Sequence, residues 1–264
     1  MTEGVILGKA KIADYLICPR RFQLRYEERL SWPVFGQDPH VEESRVLGQQ
    51  YHHLLQRYFL GIEPDEDTIA NPNIRRWWRQ FEQVRHSIPE GKARTELTLR
   101  VPISSSTLVG RFDLLVDSGS GIHIYDWKTY GRARSEKQLS EDLQSRIYLA
   151  LAAESGAALS RSIRPDDISL TYWFFTDPPV DVILNYDERQ HRENWSYLKS
   201  ICQDIERRSE SEEQWPLTAD LKACARCAYQ IPCGRVGAGS PASPPDLTEW
   251  EEGDEAVSIY PEIP

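Results

Sequence analysis

The spacing of hydrophobic residues changes twice along the chain. Helical spacing predicts three N-terminal helices, over residues 9–30, 41–60 and 73–87. Alternating apolar and polar residues between short turns then predict three strands, at 95–103, 108–116 and 122–128. The remaining predicted elements are helix 136–155, strands 168–176 and 180–186, and helix 187–208. This order indicates an α/β protein with a central mixed sheet flanked by helices.

Two of the predicted strands form a hairpin that carries acidic residues. Asp113 lies on the first strand, and Asp126 and Lys128 lie at the end of the second, on one face of it because strand side chains alternate. Carboxylate oxygens suit Mg²⁺ or Mn²⁺, and the Trp127 carbonyl could add a third ligand. Lys128 could then activate water or neutralise charge in a transition state. The alternative is a surface ion pair between Asp126 and Lys128.

Three other segments carry candidate binding residues. His52 and His53 are neighbours on a predicted helix, so at most one of them can point at a metal. Gln144 and Tyr148 are four residues apart and could contact a nucleic-acid strand, although an ordinary amphipathic helix explains them equally well. The segment 74–81, IRRWWRQF, fits either base stacking with phosphate contact or a half-buried helix with a solvated arginine face.

Three of the five cysteines have metal-ligand spacing. Cys224, Cys227 and Cys233 form a C-x2-C-x5-C cluster. A fourth thiolate, from Cys18 or Cys202, would complete a zinc site or a [4Fe-4S] cluster, and the residue types alone do not separate these two. Cys202 lies within the last predicted helix and is expected to be a buried structural thiol, which leaves Cys18 as the better candidate.

Charge and composition add only broad limits. The chain has 264 residues and a net charge of −10, but residues 241–264 contain seven acids and no Lys or Arg. This Pro-rich acidic segment is expected to be disordered. The N-terminus lacks a secretory signal pattern and no apolar run is long enough to span a membrane, so a cytoplasmic protein is expected.

Taken together, these motifs resemble the PD-(D/E)XK nuclease superfamily. The resemblance is to the branch of RecB-type and AddB-type nuclease domains and the CRISPR-associated exonucleases with an iron–sulfur cluster. The similar segments, in chain order, are YLICPRRFQLRY, LGQQYHHLL, GRFDLL, YDWKT, QSRIY and the C-x2-C-x5-C cluster. The resemblance covers about residues 9–235 and implies a restriction-endonuclease-like core with an N-terminal helical part.

The resemblance also implies a role for each matching residue. The implied metal ligands are His52, Asp113, Asp126 and the Trp127 carbonyl, with Mg²⁺ or Mn²⁺ as the ion. The implied catalytic residues besides the aspartates are Lys128, Gln144 and Tyr148, the last two positioning the strand. The implied ligands of a [4Fe-4S] cluster, with zinc as the alternative, are Cys18, Cys224, Cys227 and Cys233. Glu96 could add a further carboxylate outside this ligand set.

The function implied by the resemblance is metal-dependent hydrolysis of DNA. The expected enzyme is an exonuclease on single strands or duplex ends, acting in DNA repair, recombination or CRISPR spacer acquisition. The sequence contains no G-x-x-x-x-G-K-[ST] phosphate loop, so any helicase partner would be another chain. The alternatives are a non-catalytic or weakly catalytic DNA-binding subunit of a repair or CRISPR adaptation complex, and a zinc-stabilised interaction module. The nuclease domain is expected to span residues 1–240, with the cluster joining its N- and C-terminal parts.

Overall fold

The computed structural model describes residues 5–30, 39–129, 131–159, 162–211, 213–225 and 227–238. The acidic segment 241–264 lies outside these described residues. Its predicted disorder, and the predicted domain boundary at residue 240, therefore stay predictions.

Eight α-helices and six strands make up the regular structure of the described residues. The helices are α1 Lys9–Ile17, α2 Pro19–Phe22, α3 Pro39–Phe59, α4 Pro72–Val84, α5 Glu136–Ser140, α6 Leu143–Glu154, α7 Gly156–Leu159 and α8 Glu188–Ser209. The strands are β1 Ile6–Leu7, β2 Lys92–Ile103, β3 Ser106–Asp117, β4 Ile122–Lys128, β5 Ile168–Phe174 and β6 Val180–Asn185. None of these helices combines the length and the apolar character needed to cross a bilayer.

The strands form one mixed sheet, which confirms the predicted architecture. β2, β3 and β4 are joined as an antiparallel meander. β4 then pairs in parallel with β5, which pairs antiparallel with the edge strand β6. The parallel pairing of β4 with β5 requires a crossover, and α5 to α7 supply it. β1 pairs in parallel with the beginning of β3, on the same side as β4.

Helices cover both faces of this sheet. One face packs against α1, α6 and α8, and the other packs against α3 and α4. Trp77 and Trp78 of α4 are only 6% and 1% exposed, so they belong to the second core. The segment 74–81 is therefore a half-buried helix, and these two tryptophans are not available to stack on bases.

Two predicted helices are interrupted in the structure. The helix expected over 9–30 stops at Cys18, whose backbone is extended, and continues from Pro19 into a π-helical turn at Gln23–Glu27. Proline disfavours helical geometry in the residue before it, which explains the break. The helix expected over 136–155 is divided because Asp142 leaves the helical conformation to cap α6.

Candidate active site

The candidate site lies where β3 and β4 separate. Their antiparallel pairing ends at Leu114 and Tyr125, so Asp113 and Asp126 are the first residues beyond it. Past this point the Trp127 N–H donates to Asp113 Oδ2 at 2.9 Å. A side chain of β3 thus satisfies a main-chain donor of β4 that the ladder no longer pairs. Because the pairing of β3 with β4 ends here, the Asp113 carboxylate is held against the backbone of β4.

His52 approaches this gap from α3. Its Nε2 lies 3.0 Å from the Trp127 carbonyl oxygen, and its Nδ1 lies 3.5 Å from Asp113 Oδ1. One ligand atom each from His52, Glu96 and Asp113 can be chosen so that all three lie within 4.8 Å of one another. Adjacent ligands of an octahedral Mg²⁺ are about 3 Å apart, so this spacing fits a cation held between them.

Glu96 is brought to the group by an unusual backbone conformation. Its φ is +50°, in the left-handed region that non-glycine residues rarely adopt. The register of β2 with β3 runs from Thr95–Leu114 to Leu97–Phe112 and skips Glu96, which lies across from Asp113. The Glu96 carboxylate also contacts Arg111 Nε at 3.2 Å. From the sequence, Glu96 was expected only as a further carboxylate outside the ligand set, whereas in the structure it can offer a ligand atom within 4.8 Å of those of His52 and Asp113.

Asp126 and Lys128 form a second group on the α6 side of the sheet. Lys128 Nζ lies 3.0 Å from Asp126 Oδ2, and both side chains are nearly inaccessible to solvent. Gln144 of α6 donates from Nε2 to Asp126 Oδ1 at 2.7 Å and accepts from Lys128 Nζ at 3.2 Å. The ion pair considered from the sequence is therefore present, but it is buried and not a surface pair.

Tyr148 lies beneath β3, next to the first carboxylate. Its hydroxyl donates to the Arg111 carbonyl, and its ring centroid is 4.6 Å from that of Phe112. Gly110 leaves room for Leu151 of the same helix, because a Cβ there would lie 2.7 Å from Leu151 Cδ1 and 3.5 Å from the Tyr148 ring. Gln144 and Tyr148 are 7% and 9% exposed, so both contact protein groups around the two aspartates. Their predicted positioning of a DNA strand stays a prediction.

Electrostatics keep the first carboxylate ionised. Burial acts to raise the pKa of Asp113, but His52, the Trp127 N–H and Lys128 outweigh it, and the pKa of Asp113 falls below its usual value. Burial, together with Asp126 and Asp113, holds the pKa of Tyr148 well above its usual value. At neutral pH the site therefore presents a carboxylate to a cation and a neutral phenol to the backbone.

Two further residues contact Gln144 and were not singled out from the sequence. Lys9, the first residue of α1, donates from Nζ to Gln144 Oε1 at 3.2 Å. Asp142 caps α6 by accepting from Gln144 N at 2.8 Å, and it also accepts from Arg134 at 2.8 Å. An aspartate before an apolar helical run was a usable signal, but nothing local distinguishes Lys9 from a surface lysine.

The four cysteines named as cluster ligands line one cavity. Cys18 reaches it from the end of α1, and Cys224, Cys227 and Cys233 reach it from the C-terminal segment. No three of their sulfur atoms lie within 4.8 Å of one another among the described residues. Cys202 is buried elsewhere, in the core beneath α8, where burial raises its pKa to about 12. This confirms the prediction that Cys202 is a buried thiol.

Comparison with protein families identifies the superfamily of the chain. A model of the PD-(D/E)XK nuclease superfamily matches residues 10–234. The chain belongs to this superfamily. No curated protein matches the chain.

A solved structure with a TM-score above 0.5 shares the fold of this chain. A "Putative exonuclease" from Eubacterium rectale is similar at 12% identity with a TM-score of 0.51, over 85% of this chain and 87% of that one. A protein named SSO0001 is similar at 13% identity with a TM-score of 0.37, over 88% and 86%. PD-(D/E)XK nucleases use divalent metals, and the His52, Glu96 and Asp113 group offers this chain a place for one.

The left-handed conformation of Glu96 predicts that its replacement by glycine does not destabilise the protein, although Glu96 is a candidate metal ligand. Glu96→Gly removes the left-handed strain, so the free energy of unfolding should stay unchanged or rise by up to about 1 kcal/mol. Thr98→Gly, at an exposed strand position without this strain, should lower it by about 1 kcal/mol. Urea unfolding of both variants checks this, and an equal loss of stability in both would contradict it.

The contacts of Asp142 predict a pH-dependent stabilisation. Burial acts to raise its pKa, but hydrogen bonds from Arg134 and the Gln144 N–H outweigh burial and lower the pKa. Asp142→Ala should lower the free energy of unfolding by about 1–2 kcal/mol at neutral pH. Because a depressed pKa contributes stability above the unfolded value, this difference should shrink as pH falls below about 4.

The matched control for that variant is Asp187→Ala, since Asp187 caps α8 through Gln190 N at 2.7 Å. Both variants should be destabilised in chemical unfolding. Only Asp142→Ala should disturb the groups around Gln144. A stability difference at Asp142 that does not change between pH 7 and pH 3 would contradict the assignment.

Proposed function

We propose that the chain is a divalent-metal-dependent DNA nuclease that hydrolyses phosphodiester bonds. The observation that carries this proposal is the convergence of His52, Glu96 and Asp113 on one another, with His52 also against the Trp127 carbonyl and Asp126 buried next to it in the chain. Buried ionised carboxylates are unfavourable in a protein core unless they are paired with positive charges or bind a metal, and two of them lie close together here. Membership of the PD-(D/E)XK superfamily supports the same chemistry.

The residues that would hold the cation offer mostly oxygen atoms. They are His52, Glu96, Asp113, Asp126 and the carbonyl of Trp127. This donor set suits Mg²⁺ or Mn²⁺, which take carboxylate and carbonyl oxygens and keep several waters. The bound ion would supply Lewis-acid polarisation of the phosphate and lower the pKa of a water ligand.

We assign Lys128 to the attacking water. Its ammonium is held between Asp126 Oδ2 and Gln144 Oε1, and it lies 5.6 Å from the centre of the Tyr172 ring. From there Lys128 orients the water that attacks phosphorus and neutralises charge that develops on the phosphate oxygens. The P–O bond to one deoxyribose breaks, and the products are a phosphate end and a hydroxyl end that takes up a proton.

Gln144 and Tyr148 keep these groups in place. The Gln144 amide links Asp126 to Lys128, so a change of its side chain would move both. Tyr148 supports the Arg111 carbonyl, two residues before Asp113. We assign both residues to positioning the two aspartates and the lysine, and through them the DNA strand. Small displacements of such groups reduce catalysis strongly.

The proposed substrate is DNA, with single strands or duplex ends as the sites of attack. The motifs of the RecB-type and AddB-type branch support this preference, and they support a context in repair, recombination or CRISPR spacer acquisition. The solved structure similar to this chain carries the name of an exonuclease, which is a statement about that protein. A helicase or another repair protein would act in trans.

Replacement of Lys128 tests the catalytic assignment. Lys128→Ala should reduce cleavage of end-labelled DNA by at least about 100-fold in Mg²⁺ or Mn²⁺, because the water loses its orienting cation. Lys137→Ala, at an exposed position of α5, should leave cleavage unchanged. EDTA should abolish cleavage by the parent. Retained cleavage in Lys128→Ala would contradict the mechanism, and DNA binding without cleavage by the parent would favour a non-catalytic subunit.

We also propose that Cys18, Cys224, Cys227 and Cys233 hold a [4Fe-4S] cluster with a structural role. The four cysteines line one cavity, as the ligands of a single cluster must. The Tyr229 N–H and Arg235 Nη1 each contact a cysteine sulfur at 3.4 Å, and such donors stabilise thiolates. The cluster would join residue 18 to residues 224–233.

Substitution of a cluster cysteine tests that proposal. Protein purified without oxygen should contain about four irons per chain and absorb visible light as a brown solution. Cys227→Ser should lose iron and colour, whereas Cys202→Ala, which removes a thiol from the separate core, should keep both. Metal analysis and absorption spectra decide the outcome. Zinc in place of iron, or equal iron in the two variants, would contradict the proposal.

A further inference from the structure

We infer that one exposed side of the β2–β3 hairpin binds the DNA strand next to the cleaved phosphate, an inference that rests on the proposed nuclease function. This surface, the hairpin face, consists of six side chains that the strand pairing places on one side. They are Thr98, Arg100 and Pro102 of β2 and Thr107, Val109 and Arg111 of β3.

The two strands change the core that they contact at Glu96 and Asp113. On one side of this point Leu114 packs in the core under α3 and α4, whereas Phe112 on the other side packs in the core under α1, α6 and α8. Residues two apart on a regular strand share a face. The strand pair therefore reverses its faces at the two carboxylates, and the cover that α3 and α4 give to β3 ends there.

Beyond the reversal, the hairpin face stays outside both cores. Exposed and buried residues alternate strictly over the last six residues of β2, 98–103, and the buried ones belong to the core under α1, α6 and α8. Among the described residues, neither core includes any side chain of the hairpin face. Val109 is buried, close to Gly8, but its neighbours Arg100 and Arg111 on this face are exposed.

The hairpin face leads directly into the candidate metal group. Arg111 is two residues before Asp113, and its Nε lies 3.2 Å from Glu96 Oε2. The Arg111 side chain is 51% exposed although it contacts this carboxylate. Because a guanidinium carries five N–H groups, Arg111 can keep Glu96 as a partner and also donate to a phosphate oxygen.

Arg100 extends the positive charge away from the metal group. A strand rises about 3.3 Å per residue, so the Cα of Arg100 lies about 7 Å beyond that of Thr98, the cross-strand partner of Arg111. The six residues of the hairpin face include two arginines and no acid. Charge complementarity and continuity with the metal group therefore favour a DNA strand as the occupant, with one phosphate at Arg111 and a following one at Arg100.

Four variants test this surface. Arg100→Gln removes a charge at a position that does not adjoin the metal group. Arg111→Gln removes the charge beside Glu96, and Arg111→Lys keeps it. Arg192→Gln, which removes an exposed arginine of α8 behind the opposite face of the sheet, is the matched control for the change in net charge.

The first measurement is equilibrium binding of a fluorescein-labelled single-stranded oligonucleotide in Ca²⁺ at several salt concentrations. Arg100→Gln and Arg111→Gln should each weaken binding about 5- to 10-fold and reduce the slope of log K against log salt by about 0.7. Arg111→Lys and Arg192→Gln should stay within about three-fold of the parent. Equal affinities in Arg100→Gln, Arg111→Gln and Arg192→Gln would overturn the inference.

Photocrosslinking locates the strand independently of charge. The photoreactive residue p-benzoylphenylalanine in place of Thr98, the cross-strand neighbour of Arg111, should crosslink to the labelled oligonucleotide under ultraviolet light. Excess unlabelled oligonucleotide should suppress this product. The same residue in place of Tyr197, exposed on α8, should give little product. Equal yields at the two positions, or no product at position 98, would overturn the inference.

The outcomes for the two proposals can be told apart. A parent that binds DNA through the hairpin face but never cleaves it would overturn the nuclease proposal alone. Loss of cleavage in Lys128→Ala, with parental affinity in Arg100→Gln and Arg111→Gln, would overturn the hairpin face alone. A parent that does not bind DNA would overturn both. Circular dichroism and urea unfolding of each variant verify that it is folded.

Discussion

The backbone of Trp127 joins the parts of the candidate site. Its N–H donates to Asp113 and its carbonyl lies against His52, so the main chain of one residue connects β3, β4 and α3. This is possible only because β4 continues beyond the last residue that pairs with β3. A main-chain ladder extended by two residues would take the Trp127 N–H for itself and turn Asp113 away.

Because strand side chains alternate, neighbouring residues of β4 lie on opposite faces of the sheet. Trp127 packs in the aromatic core under α3 and α4, while its neighbours Asp126 and Lys128 face α6. Burial of the Trp127 side chain in one core therefore fixes the positions of Asp126 and Lys128 on the opposite face. The core on the far face and the hydrogen bonds of Gln144 on the near face together preorganise the proposed metal and water positions.

Sequence periodicity was sufficient for the mixed sheet and for most helices, because their buried faces repeat over many residues. It failed at Cys18 and Asp142, where a following proline and a capping side chain override helix propensity. The order of the motifs along the chain predicted that His52, Asp113, Asp126 and Lys128 belong to one metal-dependent site. The approach of Glu96 depends on a left-handed backbone angle, and that of Lys9 on a two-residue strand, and neither feature leaves a periodic signal.

The most direct test of the account is the position of a bound cation. Crystals of the protein grown with Mn²⁺, measured at the manganese absorption edge, would locate the ion by its anomalous scattering. The account predicts a peak between His52, Asp113 and the Trp127 carbonyl, at about 2.0–2.3 Å from the ligand atoms. A peak only at the cysteine cavity, or none near Asp113 with Mn²⁺ bound elsewhere, would contradict the account.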